Sequence, residues 1–223
     1  MKKLITGLGL AAIAALALSA FVAPTSAFAV SALCSNSGTG AQCAGGGATD
    51  KELTAGDTIH AVQEGSVKLT SGFVTVTCTE STVSLSLTSN TPPVGKITAL
   101  TFSKCFSNFN TTEGSCTAST TASPTNGWPV TATTTTAPNG KMVVENATGS
   151  FTCNILGSNT TCIYAAAKVG EKEELKITGG ETAHVDAANV TLTKEAGSAG
   201  SCSENATWEG TYKVDSPDSL YMT

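Results

Sequence analysis

The chain has 223 residues, only 13% of them charged, with a net charge of −5 and no arginine. Without guanidinium groups, and with carboxylates in excess, it offers phosphate neither bidentate hydrogen bonds nor counterion release, which excludes nucleic acid and attraction to anionic lipid. With 40% hydrophobic residues it is too apolar for a disordered chain, and its many Thr and Val residues suit a pleated, half-buried surface.

At the N-terminus, Lys2 and Lys3 precede an apolar run from Leu4 to Val22, and Ala27-Phe28-Ala29 supplies a small-x-small cleavage site. Residues 1–29 therefore read as a secretory signal peptide. No basic cluster follows to stop transfer, so no membrane segment is expected after cleavage, and the large Leu33 before Cys34 argues against lipidation. The product is expected to be secreted or cell-surface associated. Residues 30–56, with Gly45-Gly46-Gly47, read as a flexible Gly/Ser-rich leader. Residues 57–223 read as one domain.

From Asp57 onward short alternating runs recur. Val74, Val76 and Cys78 share one face and Thr75, Thr77 and Thr79 the other, and Val83, Leu85 and Leu87 repeat the pattern. Ile97–Ser103 follows the Pro92-Pro93 break. Later runs cover 116–121, 130–136, 141–145, 149–153, 162–167, 174–178, 189–194 and 207–214. In the last, Trp208, Tyr212 and Val214 take the core face. No stretch holds a 3.6-residue apolar period for three turns. Turn signals stand between runs: Asn139-Gly140 favours a tight hairpin, and Ser123–Trp128 carries Pro124 and a second Asn-Gly. The expected fold is all-β, a single antiparallel β-sandwich, Ig-like or jelly-roll-like, with about a dozen short strands.

All eight cysteines lie beyond the signal, where an oxidising compartment makes them disulfides rather than thiols. Spacing favours a leader loop Cys34–Cys43, two hairpin staples Cys105–Cys116 and Cys153–Cys162, and a long-range clasp Cys78–Cys202, though other pairings remain open. No C-x-x-C pair occurs, and the two histidines are far apart in sequence, so no metal site and no cofactor are expected.

No assembled catalytic set is visible, because neither G-x-S-x-G nor H-E-x-x-H occurs. His60 and His184 are the candidate general bases for a hydrolase reading, and solvated strand-end histidines in the simpler one. Glu171, Glu173 and Glu174, interleaved with Lys172 and Lys176, read as a charged hairpin tip rather than glycosidase carboxylates. Asp215 and Asp218 around Pro217 read as turn formers. Trp128, bracketed by Asn126-Gly127 and Pro129, is the best candidate for a ligand-stacking residue of a carbohydrate-binding module, but with so few aromatics in the chain the favoured role is to plug the end of the sandwich.

Val76-Thr77-Cys78-Thr79, Ile97–Ser103 with Cys105, Cys162-Ile163-Tyr164, Val190–Thr193 and Cys202, Trp208, Tyr212 and Ser216-Pro217 together carry a resemblance. On these residues the chain resembles a group of secreted, Thr-rich, disulfide-containing actinobacterial proteins. The resemblance implies an exported β protein and brings no activity. The leading expectation is a non-enzymatic extracellular protein, structural, adhesive or matrix-binding, with a cell-wall or extracellular glycan or a protein as partner.

Overall fold

The computed structural model describes residues 31–36, 50–166 and 174–223. Residues 1–29, expected to form a signal peptide, and Cys43, Glu171 and Glu173 lie outside them. Among the described residues the fold is all-β and antiparallel. The strands are β1 Leu33–Asn36, β2 Asp50–Glu52, β3 Thr58–Ser71, β4 Val74–Asn90, β5 Pro93–Ser107, β6 Cys116–Thr120, β7 Trp128–Thr136, β8 Asn139–Val144, β9 Thr148–Ile155, β10 Ser158–Ala166, β11 Glu174–Thr178, β12 His184–Lys194, β13 Asn205–Ser216 and β14 Tyr221–Met222.

The Val74–Cys78 and Val83–Leu87 runs lie on one strand, the 17-residue β4. Thr79 to Thr82 join them without a turn former, because Thr and Ser at these positions keep the backbone extended. Strands β3, β5, β12 and β13 are similarly long, and these five strands form a continuous wall.

The main sheet runs β10-β9-β6-β5-β4-β3-β13-β12-β11-β8-β7, and two further pairings fold it back on itself. β7 pairs with β5 through Val130↔Gly95 and Trp128↔Ile97. β10 pairs with β12 through Ala165↔Thr193. The long wall is thereby shared by two closed lobes, one completed by β7, β8 and β11, the other by β6, β9 and β10. Bulges interrupt the wall between Val62 and Val67, Ala187 and Val190, and Glu209 and Thr211. An extra residue resets which side chains face inward and sharpens the twist, which lets one strand serve two curvatures.

Each lobe has its own core. The first packs Ile59, Leu87, Ile97, Trp128, Met142, Leu175, Ile177 and Tyr212. The second packs Val74, Val76, Phe151 and Tyr164 with the cysteines Cys78, Cys105, Cys116, Cys153, Cys162 and Cys202. Tyr164 is fully buried there, stacked on Phe151, and its hydroxyl bonds Ser71 Oγ at 2.6 Å and donates to the Ser203 carbonyl at 2.9 Å.

The leader reading is corrected at both described ends. β1 pairs with β2 and with the C-terminal β14, and Leu33 and Leu53 are buried in the first core. The cause is local: Ala32-Leu33-Cys34, between Ser31 and Ser35, and Leu53, between Glu52 and Thr54, are apolar residues in polar surroundings. Asn90 anchors them, its amide accepting from Leu33 N at 2.8 Å and donating to Leu33 O at 2.9 Å. The β7–β8 hairpin exists, but its turn is Ala137-Pro138, since Thr136 pairs with Asn139. Gly140 is needed instead for close approach: a Cβ there would lie 2.7 Å from the Thr133 carbonyl and 2.9 Å from Met222 Sδ.

The disulfide pairings are also corrected. The bonds are Cys78–Cys105, Cys116–Cys153 and Cys162–Cys202, in place of Cys105–Cys116, Cys153–Cys162 and Cys78–Cys202. Cys34 is disulfide-bonded as well, and its expected partner Cys43 lies outside the described residues. The reason is register. Cys78, Cys105, Cys116 and Cys153 occupy directly opposed positions on β4, β5, β6 and β9. Cys162 on β10 opposes Phe151 rather than Cys153, and reaches across to the loop that carries Cys202.

Candidate functional site

The cysteine row sits near one end of the sheet, and the strand ends beyond it carry the large apolar side chains that solvent reaches. Phe73 is 69% exposed, Phe109 40% and Leu156 85%. Antiparallel order places all three at the same end: Phe73 precedes Cys78 on the way into β4, Phe109 follows Cys105 out of β5, and Leu156 follows Cys153 out of β9.

Each is held by its own backbone chemistry. Gly72, at φ +59°, opens the two-residue β3–β4 turn and leaves Phe73 at the outer position. A side chain on Gly72 would strike Ser203 Oγ, so the turn is seated against the loop that Cys202 ties down. Asn108 bridges the two aromatic loops: its Oδ1 accepts from Thr75 N at 2.9 Å and its amide donates to Phe73 O at 3.0 Å. Ser107, wholly buried, accepts from Phe109 N and Asn110 N. The two rings meet edge to face with centroids 5.9 Å apart, the arrangement favoured by their quadrupoles. Leu156 and Gly157 both have positive φ, 52° and 85°, in the two-residue β9–β10 turn. Asn or Gly is at home there; a leucine is strained and exposed.

The sequence alone does not single out these three residues, because single Phe and Leu residues in turns are common. The available signal was an apolar residue beside glycine at a hairpin tip, in Gly72-Phe73 and Leu156-Gly157.

Trp128 is buried at 6% exposure in the first core, and its Nε1 donates to Thr121 Oγ1 at 3.1 Å. It presents no face to a sugar in solvent, which corrects the ligand-stacking reading. Tyr212 and Val214 are core residues as their alternation requires, and burial pushes the Tyr212 hydroxyl well above the usual phenol range.

Both histidines meet carboxylates on the outer face of the first lobe. His60 Nδ1 lies 2.6 Å from Asp215 Oδ1, and His184 Nε2 lies 2.9 Å from Glu64 Oε2. Asp215 stands in the bulge between Val214 and Ser216, which turns its side chain toward β3. Among the described residues no hydroxyl or thiol bonds either imidazole. Ser84 opposes His60 across β3 and β4, but there β3 is paired on both sides, so its backbone N–H groups belong to the ladder rather than to an oxyanion. Glu174 pairs with Lys141 at 2.7 Å. No group of three His, Cys, Asp or Glu that could hold a metal occurs among the described residues, and no helix among them is long and apolar enough to cross a membrane.

No family model matches the chain, and no curated protein or solved structure matches it.

Proposed function

We propose that the chain is an exported, non-enzymatic adhesive protein that attaches to uncharged apolar extracellular surfaces through the Phe73, Phe109 and Leu156 end. The observation that carries this reading is the exposed, edge-to-face Phe73–Phe109 pair held rigidly by Asn108. Folding alone has no use for three large apolar side chains in water, and rigid aromatic anchors lose little entropy on contact. The disulfides lie immediately behind these turns, so contact would not splay the strands. They also fit an extracellular protein.

The test is adsorption of the disulfide-bonded chain to alkyl-coated and bare silica beads. Phe73→Ser with Phe109→Ser and Leu156→Asn should lower binding to the alkyl beads at least tenfold while leaving thermal unfolding nearly unchanged. Equal adsorption of the variant would rule the reading out.

A hydrolase reading has one observation in its favour, the His60–Asp215 pair with Ser84 opposite. Labelling of Ser84 by a serine-directed phosphonate, lost in His60→Ala, would support it over the adhesive reading.

A further inference from the structure

The first lobe is not filled. A cavity of about 110 Å³ lies between its walls, lined among the described residues only by aliphatic, aromatic, Met, Pro and Gly residues, including Met142, Leu175, Val190, Trp128, Trp208 and Tyr212. This is smaller than, but comparable with, an engineered apolar cavity of about 150 Å³ that stays dry and takes up benzene.

Among the described lining residues, three side chains carry a nitrogen or oxygen atom. The Tyr212 hydroxyl is bonded to Ser81 Oγ at 2.9 Å, and Trp128 Nε1 donates to Thr121 Oγ1. The third, Trp208 Nε1, is buried and has no hydrogen-bond partner. An unpaired buried N–H keeps its full desolvation penalty, which native interiors seldom tolerate. A lone water is a poorer remedy, because a buried water needs two to four polar partners and most of this wall is aliphatic or aromatic carbon. A molecule with a hydrocarbon body and one acceptor oxygen fits both features, its body in contact with the aliphatic wall and its oxygen on the indole N–H.

We infer that the first lobe binds a small uncharged ligand of this class, an apolar ring or short chain bearing a single carbonyl or ether oxygen, with Trp208 Nε1 as its hydrogen-bond donor. The site is distinct from the Phe73–Phe109 end: most of its wall belongs to the first core, and of its lining residues Leu192 and Trp208 also border the cavity of the second.

The test uses the nitrogen-15-labelled, disulfide-bonded chain and two probes of similar size, cyclohexanone and cyclohexane. Cyclohexanone should move one indole N–H resonance saturably, identified as Trp208 by its absence in Trp208→Phe, while the Trp128 indole stays bonded to Thr121. Cyclohexane should bind at least fivefold more weakly. Ala132→Leu, which fills the cavity from its wall, should abolish the shift; Ala147→Leu serves if that variant does not fold. No saturable shift, equal binding of the two probes, or a shift that survives a folded cavity-filling variant would overturn the inference.

Discussion

Cys105 and Cys116 face each other directly across β5 and β6, yet each is bonded to the cysteine on its other side, Cys105 to Cys78 and Cys116 to Cys153. The four form a row across adjacent strands, so the bonded pairs and the unbonded pair are all register neighbours. Stapling β4 to β5 and β6 to β9 braces the strands that lead to Phe73, Phe109 and Leu156.

Peptide mapping without reduction should therefore recover Cys78–Cys105 and Cys116–Cys153. Recovery of Cys105–Cys116 would contradict the structure. Replacing Cys162 and Cys202 together by serine opens a bridge of sequence separation 40. It should cost about 4 kcal/mol in the chain-entropy account, read from urea unfolding.

Trp128→Ala should behave as a core lesion. The ring is buried against the β5–β7 pairing, so its removal should cost about 3–5 kcal/mol. The expected result is a lower unfolding midpoint with adsorption through the opposite lobe retained in the folded fraction. A variant as stable as the parent would contradict the packing described.

Asn90→Ala should release the N-terminal strand. Its amide satisfies both the N–H and the C=O of Leu33 in a buried setting, and leaving these unpaired should cost about 2 kcal/mol or more. Hydrogen exchange should rise in 31–36 and 50–53 before the main sheet responds. Uniform protection in the variant would show that Asn90 is not the anchor.

Acid should loosen the turn that opens β3. The Asp57 carboxylate accepts from Thr54 N at 2.8 Å and from Thr54 Oγ1 at 3.1 Å, and the backbone bond above all holds its pKa below the ordinary 3.8. A depressed folded pKa contributes stability above the unfolded value, and that contribution is lost as the pH falls through the folded value. Asp57→Asn should therefore flatten the pH dependence of stability below about pH 4. A slope identical to the parent's would exclude this role.

The His60 and His184 carboxylate pairs illustrate what was legible and what was not. Both histidines were marked by their rarity, but Glu64 and Asp215 meet them only through cross-strand register and one bulge. Trp128 carried every turn signal of an exposed loop residue, yet the closing β5–β7 pairing buries it. Phe73 and Leu156 looked ordinary because their common location emerges only when β4, β5 and β9 are laid side by side.

By itself the sequence determined what is local: period-two alternation, turn punctuation, the core faces of Val76, Tyr212 and Val214, and cysteines in number fit for bridges. These follow from interactions within a few residues, where propensity and patterning act. Tertiary structure alone decided the strand order, and with it the double closure, the cysteine partners, the docking of Leu33 and Leu53, and the cavity beside Trp208. Those depend on which strands become neighbours, a choice made by the summed burial of distant segments that no single stretch encodes.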